Sequence, residues 1–299
     1  MLLDELNEQF GIPGKISFRE GAGGWPYAEI NHPEAKAVVS IYGAHVLNFI
    51  PTGRADVLWN TSKSIFQKGK AIRGGIPLCW PWFGPHPSDA TKPAHGFARI
   101  SMWTIESTGI THTGDIQLTL QINASAKTEE FWPYAFSATL TITIGKALHV
   151  ELAITNTGNE DFTYTDALHS YIHVGDASQI TIEGLQGVSY YDYTDQNALK
   201  QQMEALTTIR KEENRRYVDT ASTCIIHDPV LGRNIQVTKV GSNTTVVWNP
   251  WVETAKTFVD MQDEDYKTMI CMEAANAFDE TITLAPMKSH RLATSLSIL

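Results

Sequence analysis

The chain has 299 residues, 42% of them hydrophobic and 19% charged, which is enough apolar material for a sizeable core and too much for disorder. Its 23 basic and 33 acidic residues give a formal charge of −10, which repels nucleic acid and anionic membranes, so an anionic ligand would need positive charge gathered locally. Cys79, Cys224 and Cys271 are too few and too scattered for a disulfide framework or a zinc ribbon, and the first eight residues lack the features of a signal peptide, so a cytoplasmic location is expected.

In chain order, Leu2, Leu3, Leu6 and Phe10 are spaced for one face of a short helix closed by Gly11 and Pro13. Gly21-Ala22-Gly23-Gly24-Trp25-Pro26 resembles a nucleotide loop at a glance, but proline stands where the last glycine would fall and no helix follows, so it reads as a turn. Residues 37–42 and 44–50 read as strands flanking Gly43. From Lys70 to Arg99, glycines and prolines forbid regular structure while Arg73, Arg99, His95, Trp80, Trp82 and Phe83 gather in about thirty residues. Rings suit the apolar face of a sugar or base, and guanidinium forks suit carboxylate or phosphate. The stretch therefore reads either as a site for a small anionic ring or as a stiff loop covering a core edge.

Alternation is clearest at Ile116, Leu118, Leu120 and Ile122, then at Leu140, Ile142 and Ile144, and after Gly145-Lys146 at Leu148, Val150, Leu152 and Ile154. These predict half-buried strands, the last two forming a hairpin. Further strands are expected at 163–174, 224–227, 235–240, 244–248, 269–273 and 289–294, with a short helix around 197–206. No linker divides the chain. The fold class is therefore all-β, a single domain over 1–299 built as one large antiparallel β-sandwich with few short helices.

His169 and His173 have a spacing that would align two metal ligands on a helix, but here the flanking residues favour a strand. Four residues of strand span roughly 13 Å, too far for one ion, so no metal is expected; His169, Tyr171 and His173 would share one strand face. Glu273 closes an apolar run, where a carboxylate must be solvated, paired or functional: a candidate base or a structural ion pair.

Several blocks together carry a resemblance. Lys70-Ala71-Ile72-Arg73-Gly74-Gly75-Ile76-Pro77, Pro93-Ala94-His95-Gly96-Phe97-Ala98-Arg99, Leu168-His169-Ser170-Tyr171, Tyr193-Thr194-Asp195, Trp248-Asn249-Pro250-Trp251 and Cys271-Met272-Glu273 resemble the glucose-6-phosphate 1-epimerase family. These are hexose-6-phosphate mutarotases within the galactose-mutarotase-like, aldose 1-epimerase superfamily. The blocks occur in family order over nearly the whole chain. The resemblance implies a β-supersandwich that interconverts sugar phosphate anomers without metal or organic cofactor. By similarity Glu273 is the base and His169 the acid, Arg73 and Arg99 hold phosphate, and His95 and Asp195 contact sugar hydroxyls; Lys70 and Lys92 are nearby charges left outside that site. Ile100 departs from a common Asn and Ser170 from a common Thr, neither at the chemistry. The expected partner is a small-molecule sugar phosphate and the expected state a monomer. Glu273 should begin ionised and His169 protonated, their side chains flanking a space one pyranose wide.

Overall fold

The structure, a computed structural model, describes residues 2–299. A nine-stranded antiparallel sheet runs in the order Leu206–Thr208, Thr181–Glu183, Cys224–Asp228, Arg233–Val240, Ser289–Ile298, Leu148–Asn156, Phe136–Ile144, Ile116–Asn123 and Thr104–Ile110. At its centre, Phe136–Ile144 and Leu148–Asn156 alternate buried with half-buried residues along all nine positions. Their apolar residues face the core and their threonines, His149 and Glu151 face outward, as a sheet covered on one side requires.

The second large sheet runs Ala198–Gln201, Ser189–Asp192, Glu213–Tyr217, Thr244–Asn249, Met269–Asn276, Asp166–Leu168 and Leu78–Cys79. Tyr171–His173 also pairs with Met269–Asn276. Leu168, Val247, Ile270 and Met272 from this sheet join Leu140, Val150, Ile235 and Leu292 from the first in one hydrophobic cluster, so the sheets sandwich a common core. A four-stranded meander over Ile16–Glu20, Pro26–His32, Ala35–Ser40 and His45–Pro51 contributes to the same cluster, and Phe162–Tyr164 pairs with Ile282–Leu284. No described helix is long and apolar enough to cross a membrane.

Met269–Asn276 matters most for the site, and all eight of its residues are buried. Ile270, Met272 and Ala274 belong to the main core, whereas Met269, Cys271 and Ala275 belong to small clusters on the opposite face, the face that Glu273 shares by strand alternation. A strand covered on both sides reads as a continuous apolar run, which explains why one carboxylate within it stands out.

Three expectations change. Residues 197–206 form no helix: Ala198–Gln201 is an edge strand on Ser189–Asp192, and the Lys200 ammonium reaches Asp192 at 2.8 Å, so tertiary pairing overrides helix propensity. Residues 163–174 are broken into Phe162–Tyr164, Asp166–Leu168 and Tyr171–His173. The break falls at His169, where the Ser170 N–H donates to the Leu168 carbonyl at 2.9 Å in a three-residue turn, so His169 does not sit on a continuous strand face with His173. A helix not foreseen, Trp251–Ala255, follows the strand Thr244–Asn249. The N-terminal helix forms at Leu3–Phe10 and buries Leu6 and Phe10.

Candidate active site

Three adjacent strands lay down the floor of a pocket of about 410 Å³. Glu213–Tyr217 turns Tyr217 into the core and therefore presents Asn214 and Arg216 on the other face; Thr244–Asn249 likewise turns Val247 inward and presents Val246 and Trp248. Register puts Arg216 opposite Val246 and Val246 opposite Glu273, while Asn214, Trp248, Cys271 and Tyr171 form the next row. His169, projecting from its turn, stacks on Tyr171 with ring centroids 4.8 Å apart, and its Nε2 lies 3.3 Å from Glu273 Oε1.

The loop from Lys70 to Arg99 supplies one wall. Gly74 and Gly75 have φ of 107° and 59°, and a side chain at either would strike the backbone of Trp59 or Val46. This close approach fixes Arg73, whose Nε donates to Asp260 Oδ1 at 2.8 Å and whose Nη1 donates to the Tyr171 hydroxyl at 3.3 Å, with the guanidinium 4.4 Å from the Phe258 ring centroid. Arg99 Nη2 donates to the Ala94 carbonyl at 2.9 Å, leaving its buried Nε without a protein partner. Both arginines also line an adjoining lobe of about 340 Å³, with Lys70, Tyr171 and Phe258. Lys92 is turned away, donating to the Phe131 carbonyl at 2.7 Å.

His95 is held by its own backbone at φ 62°, and its Nδ1 accepts the Gly84 N–H at 3.2 Å. That bond leaves the ring proton on Nε2, so the neutral imidazole is a donor there. Burial, with Arg99 and Arg73 adding repulsion, pushes its pKa down to about 3.

The same physics governs the central pair. Burial pushes the His169 imidazole well below its ordinary value, with His95 and Arg99 adding to the effect. Burial pushes the Glu273 carboxyl well above its ordinary value, against the opposing pull of Arg99. Both shifts run against the charged forms, so burial draws the shared proton toward Glu273, and the ion pair expected at the start of turnover needs a further charge to offset them. Both arrangements hold one mobile proton and no net charge, so they differ only in where it sits across the 3.3 Å contact. That contact also replaces the expected pyranose-wide separation: acid and base stand side by side.

Arg73, His95, Arg99, His169 and Glu273 thus line one pocket although they span two hundred residues of sequence. Asp195 does not join them. Its carboxylate pairs with Lys200 at 2.6 Å and is 58% exposed, because the turn after Ser189–Asp192 points it outward while Tyr193 faces the pocket. His173 is also elsewhere, bonded through Nδ1 to the Asp56 carbonyl. Sequence reasoning missed Tyr193, Asn214, Arg216 and Phe278 as lining residues. The alternation in Glu213-Asn214-Arg215-Arg216-Tyr217 was the available signal, since Asn214 and Arg216 fall on the face opposite Tyr217.

Residues 26–297 match the family described as aldose 1-epimerase. The chain is 34% identical over 269 residues to a provisionally named glucose-6-phosphate 1-epimerase of Escherichia coli, covering 90% of this chain and 89% of that one. It is also 34% identical over 248 residues to a Salmonella typhimurium protein of the same provisional name, covering 83% and 82%. A crystal structure described as a provisional mutarotase from Salmonella typhimurium superposes with a TM-score of 0.89 at 29% identity, over 100% of this chain and 99% of that one. Fold and sequence agree: the chain belongs to the aldose 1-epimerase family.

Proposed function

We propose that the protein is a hexose-6-phosphate mutarotase that interconverts the α and β anomers of glucose 6-phosphate. The observation that carries this reading is the His169–Glu273 pair on the floor of a pocket whose neighbouring lobe gathers Lys70, Arg73 and Arg99. The first lobe suits a pyranose, with Trp248, Phe83 and Phe278 offering ring faces; the second suits a phosphate, whose oxygens match guanidinium forks. The names carried by the relatives point to the same substrate.

Anomer exchange needs one group to take the proton of the C1 hydroxyl while another gives a proton to O5 as the C1–O5 bond breaks. Both oxygens are bonded to C1, so an acid and a base standing side by side suit the step better than two facing each other across the ring. Glu273 accepts from O1 and His169 donates to O5, leaving neutral Glu273 and neutral His169, the arrangement that burial favours. The aldehyde turns about C1–C2. On closure His169 recovers the O5 proton and Glu273 returns one to O1, so protons balance over the cycle. Starting the cycle needs the proton on His169. A phosphate dianion beside Arg73 and Arg99 offsets the guanidinium charges that disfavour the imidazolium and moves the balance that way. His95 donates through Nε2 to a sugar hydroxyl.

The test is the exchange rate between anomers of glucose 6-phosphate, followed by exchange NMR or polarimetry. Glu273→Gln is expected to slow it by about 10²- to 10⁴-fold. The double variant Arg73→Ala, Arg99→Ala is expected to raise KM for the phosphorylated sugar and to abolish its advantage over free glucose. Equal acceleration of glucose with and without the phosphate would replace this reading with an epimerase of unphosphorylated aldose, and no acceleration of either would remove it.

A further inference from the structure

Beside the acid/base pair lies a third side chain that the proton transfers do not use. Cys271 is two residues before Glu273 on the same face of Met269–Asn276, enclosed in the row between Trp248 and Tyr171, and its side chain is not part of the pocket lining. One nitrogen of His169, the Cys271 sulfur and a carboxylate oxygen of Glu273 all lie within 4.8 Å of one another. We propose that these three residues form a site for a thiophilic divalent ion, zinc foremost, and that an ion bound there silences the acid/base pair.

Three features support the site. Imidazole, thiolate and carboxylate together are a donor set for zinc or cadmium rather than for magnesium or calcium, which prefer oxygen alone. In a tetrahedral zinc site with nitrogen and oxygen ligands each near 2.0 Å, those two atoms stand about 3.3 Å apart, and nitrogen and sulfur about 3.5 Å apart. The His169 Nε2 to Glu273 Oε1 separation is 3.3 Å, so that edge is already formed, and bringing the sulfur from within 4.8 Å to ligand spacing takes a side-chain adjustment of up to about 1.3 Å. Glu273 is also 2% exposed, and its Oε2 is buried without a protein partner, so the carboxylate keeps an unmet demand for a ligand-like contact.

The histidine and carboxylate line the pocket, so an ion can arrive from solvent, and three protein ligands leave a fourth position for water. Binding displaces the thiol proton and the proton shared by the pair, leaving a divalent ion balanced by one thiolate and one carboxylate. The apolar rings of Tyr171 and Trp248 around the sulfur keep competing water out. The inhibitory consequence rests on the mutarotase reading; the binding itself does not.

The experiment titrates the metal-free protein with cadmium and with zinc. Cadmium is expected to bind one equivalent per chain and to produce the ultraviolet thiolate-to-cadmium charge-transfer band. Zinc is expected to inhibit anomer exchange competitively with glucose 6-phosphate. In Cys271→Ala and in Cys271→Ser the band should vanish and the zinc inhibition constant should rise by at least about tenfold, the smaller end of what losing even an outer partner of a metal site costs. The metal-free exchange rate should be unchanged in both. No cadmium band in the wild-type protein would overturn the proposal whatever the variants do, and so would a band that survives removal of the thiol or a zinc inhibition constant that its removal leaves unchanged. A band without measurable exchange by any form would sustain the ion site while removing the mutarotase reading.

Discussion

A histidine and a carboxyl group 3.3 Å apart in a buried site cannot each be assigned its solution behaviour. Desolvation opposes both charged forms, and the imidazolium is further disfavoured by the guanidinium of Arg99. His169 in the free protein should therefore gain its second ring proton only below pH 6.5, read from its imidazole resonances and assigned by comparison with His169→Asn. Inorganic phosphate, by offsetting Arg73 and Arg99, should move that midpoint upward. A midpoint at or above 6.5 without phosphate, or one indifferent to phosphate, would contradict this account of the pair. Much of the pocket's lining was legible at this scale, because Arg73, His95, Arg99, His169 and Glu273 sit in short blocks whose residue types suit sugar phosphate chemistry. Asp195 was not separable from its neighbours: whether a turn residue faces in or out depends on the pairing of Ser189–Asp192, which its own sequence does not encode. For Arg216 the alternation with Tyr217 gave the face, but its place in the pocket follows from its register opposite Val246.

Regular elements announced themselves where one face meets the core and the other meets water, as in Phe136–Ile144 and Leu148–Asn156. They were obscure where that contrast fails. Ala198–Gln201 is an edge strand with no fully buried residue, and Leu199, its one large apolar side chain, falls on the exposed face, so residue type did not follow its alternation in exposure. The wall of the pocket is obscure in another way, since it is held by backbone contacts rather than by an element. Trp80 forms a parallel bridge with Gly96, its N–H donating to the His95 carbonyl at 3.3 Å and its carbonyl accepting from the Ala98 N–H at 3.2 Å. Gly96 has φ 74°, and a Cβ there would collide with the Trp80 carbonyl oxygen. Gly53 has a similar φ of 75° and open space around it. Gly53→Ala should therefore cost only the left-handed backbone term of about 1–2 kcal/mol. Gly96→Ala should cost more, and it should also depress kcat/KM by displacing His95, measured by denaturant unfolding and by anomer exchange. Equal stability losses for the two, with exchange intact, would mean that the Trp80 contact yields readily and does not set the wall.

At the scale of the whole molecule, we propose that the chain folds as one domain, because no cut through the sequence leaves two self-sufficient cores. The C-terminal strand Ser289–Ile298 lies between Arg233–Val240 and Leu148–Asn156, so the last residues complete a sheet begun in the first half. The main cluster reaches from Leu6 to Leu296, and the pocket draws its lining from residues 73 to 278. Chains of this length often populate intermediates when their parts can fold separately. Here a part that folded alone would leave the unpaired edges of Leu148–Asn156 and Met269–Asn276 in water, together with the apolar faces that pack between the sheets. Unfolding in denaturant should accordingly be a single transition, with far-ultraviolet circular dichroism and the fluorescence of the eight tryptophans changing together. Removing residues 289–299 should abolish that transition rather than shift it, since the strand lost is interior to its sheet. Two resolved transitions in the intact chain, or a cooperative transition in the truncated one, would show that the sheets can form apart. The pocket would then have to be assembled by docking two folded pieces instead of arising with the core.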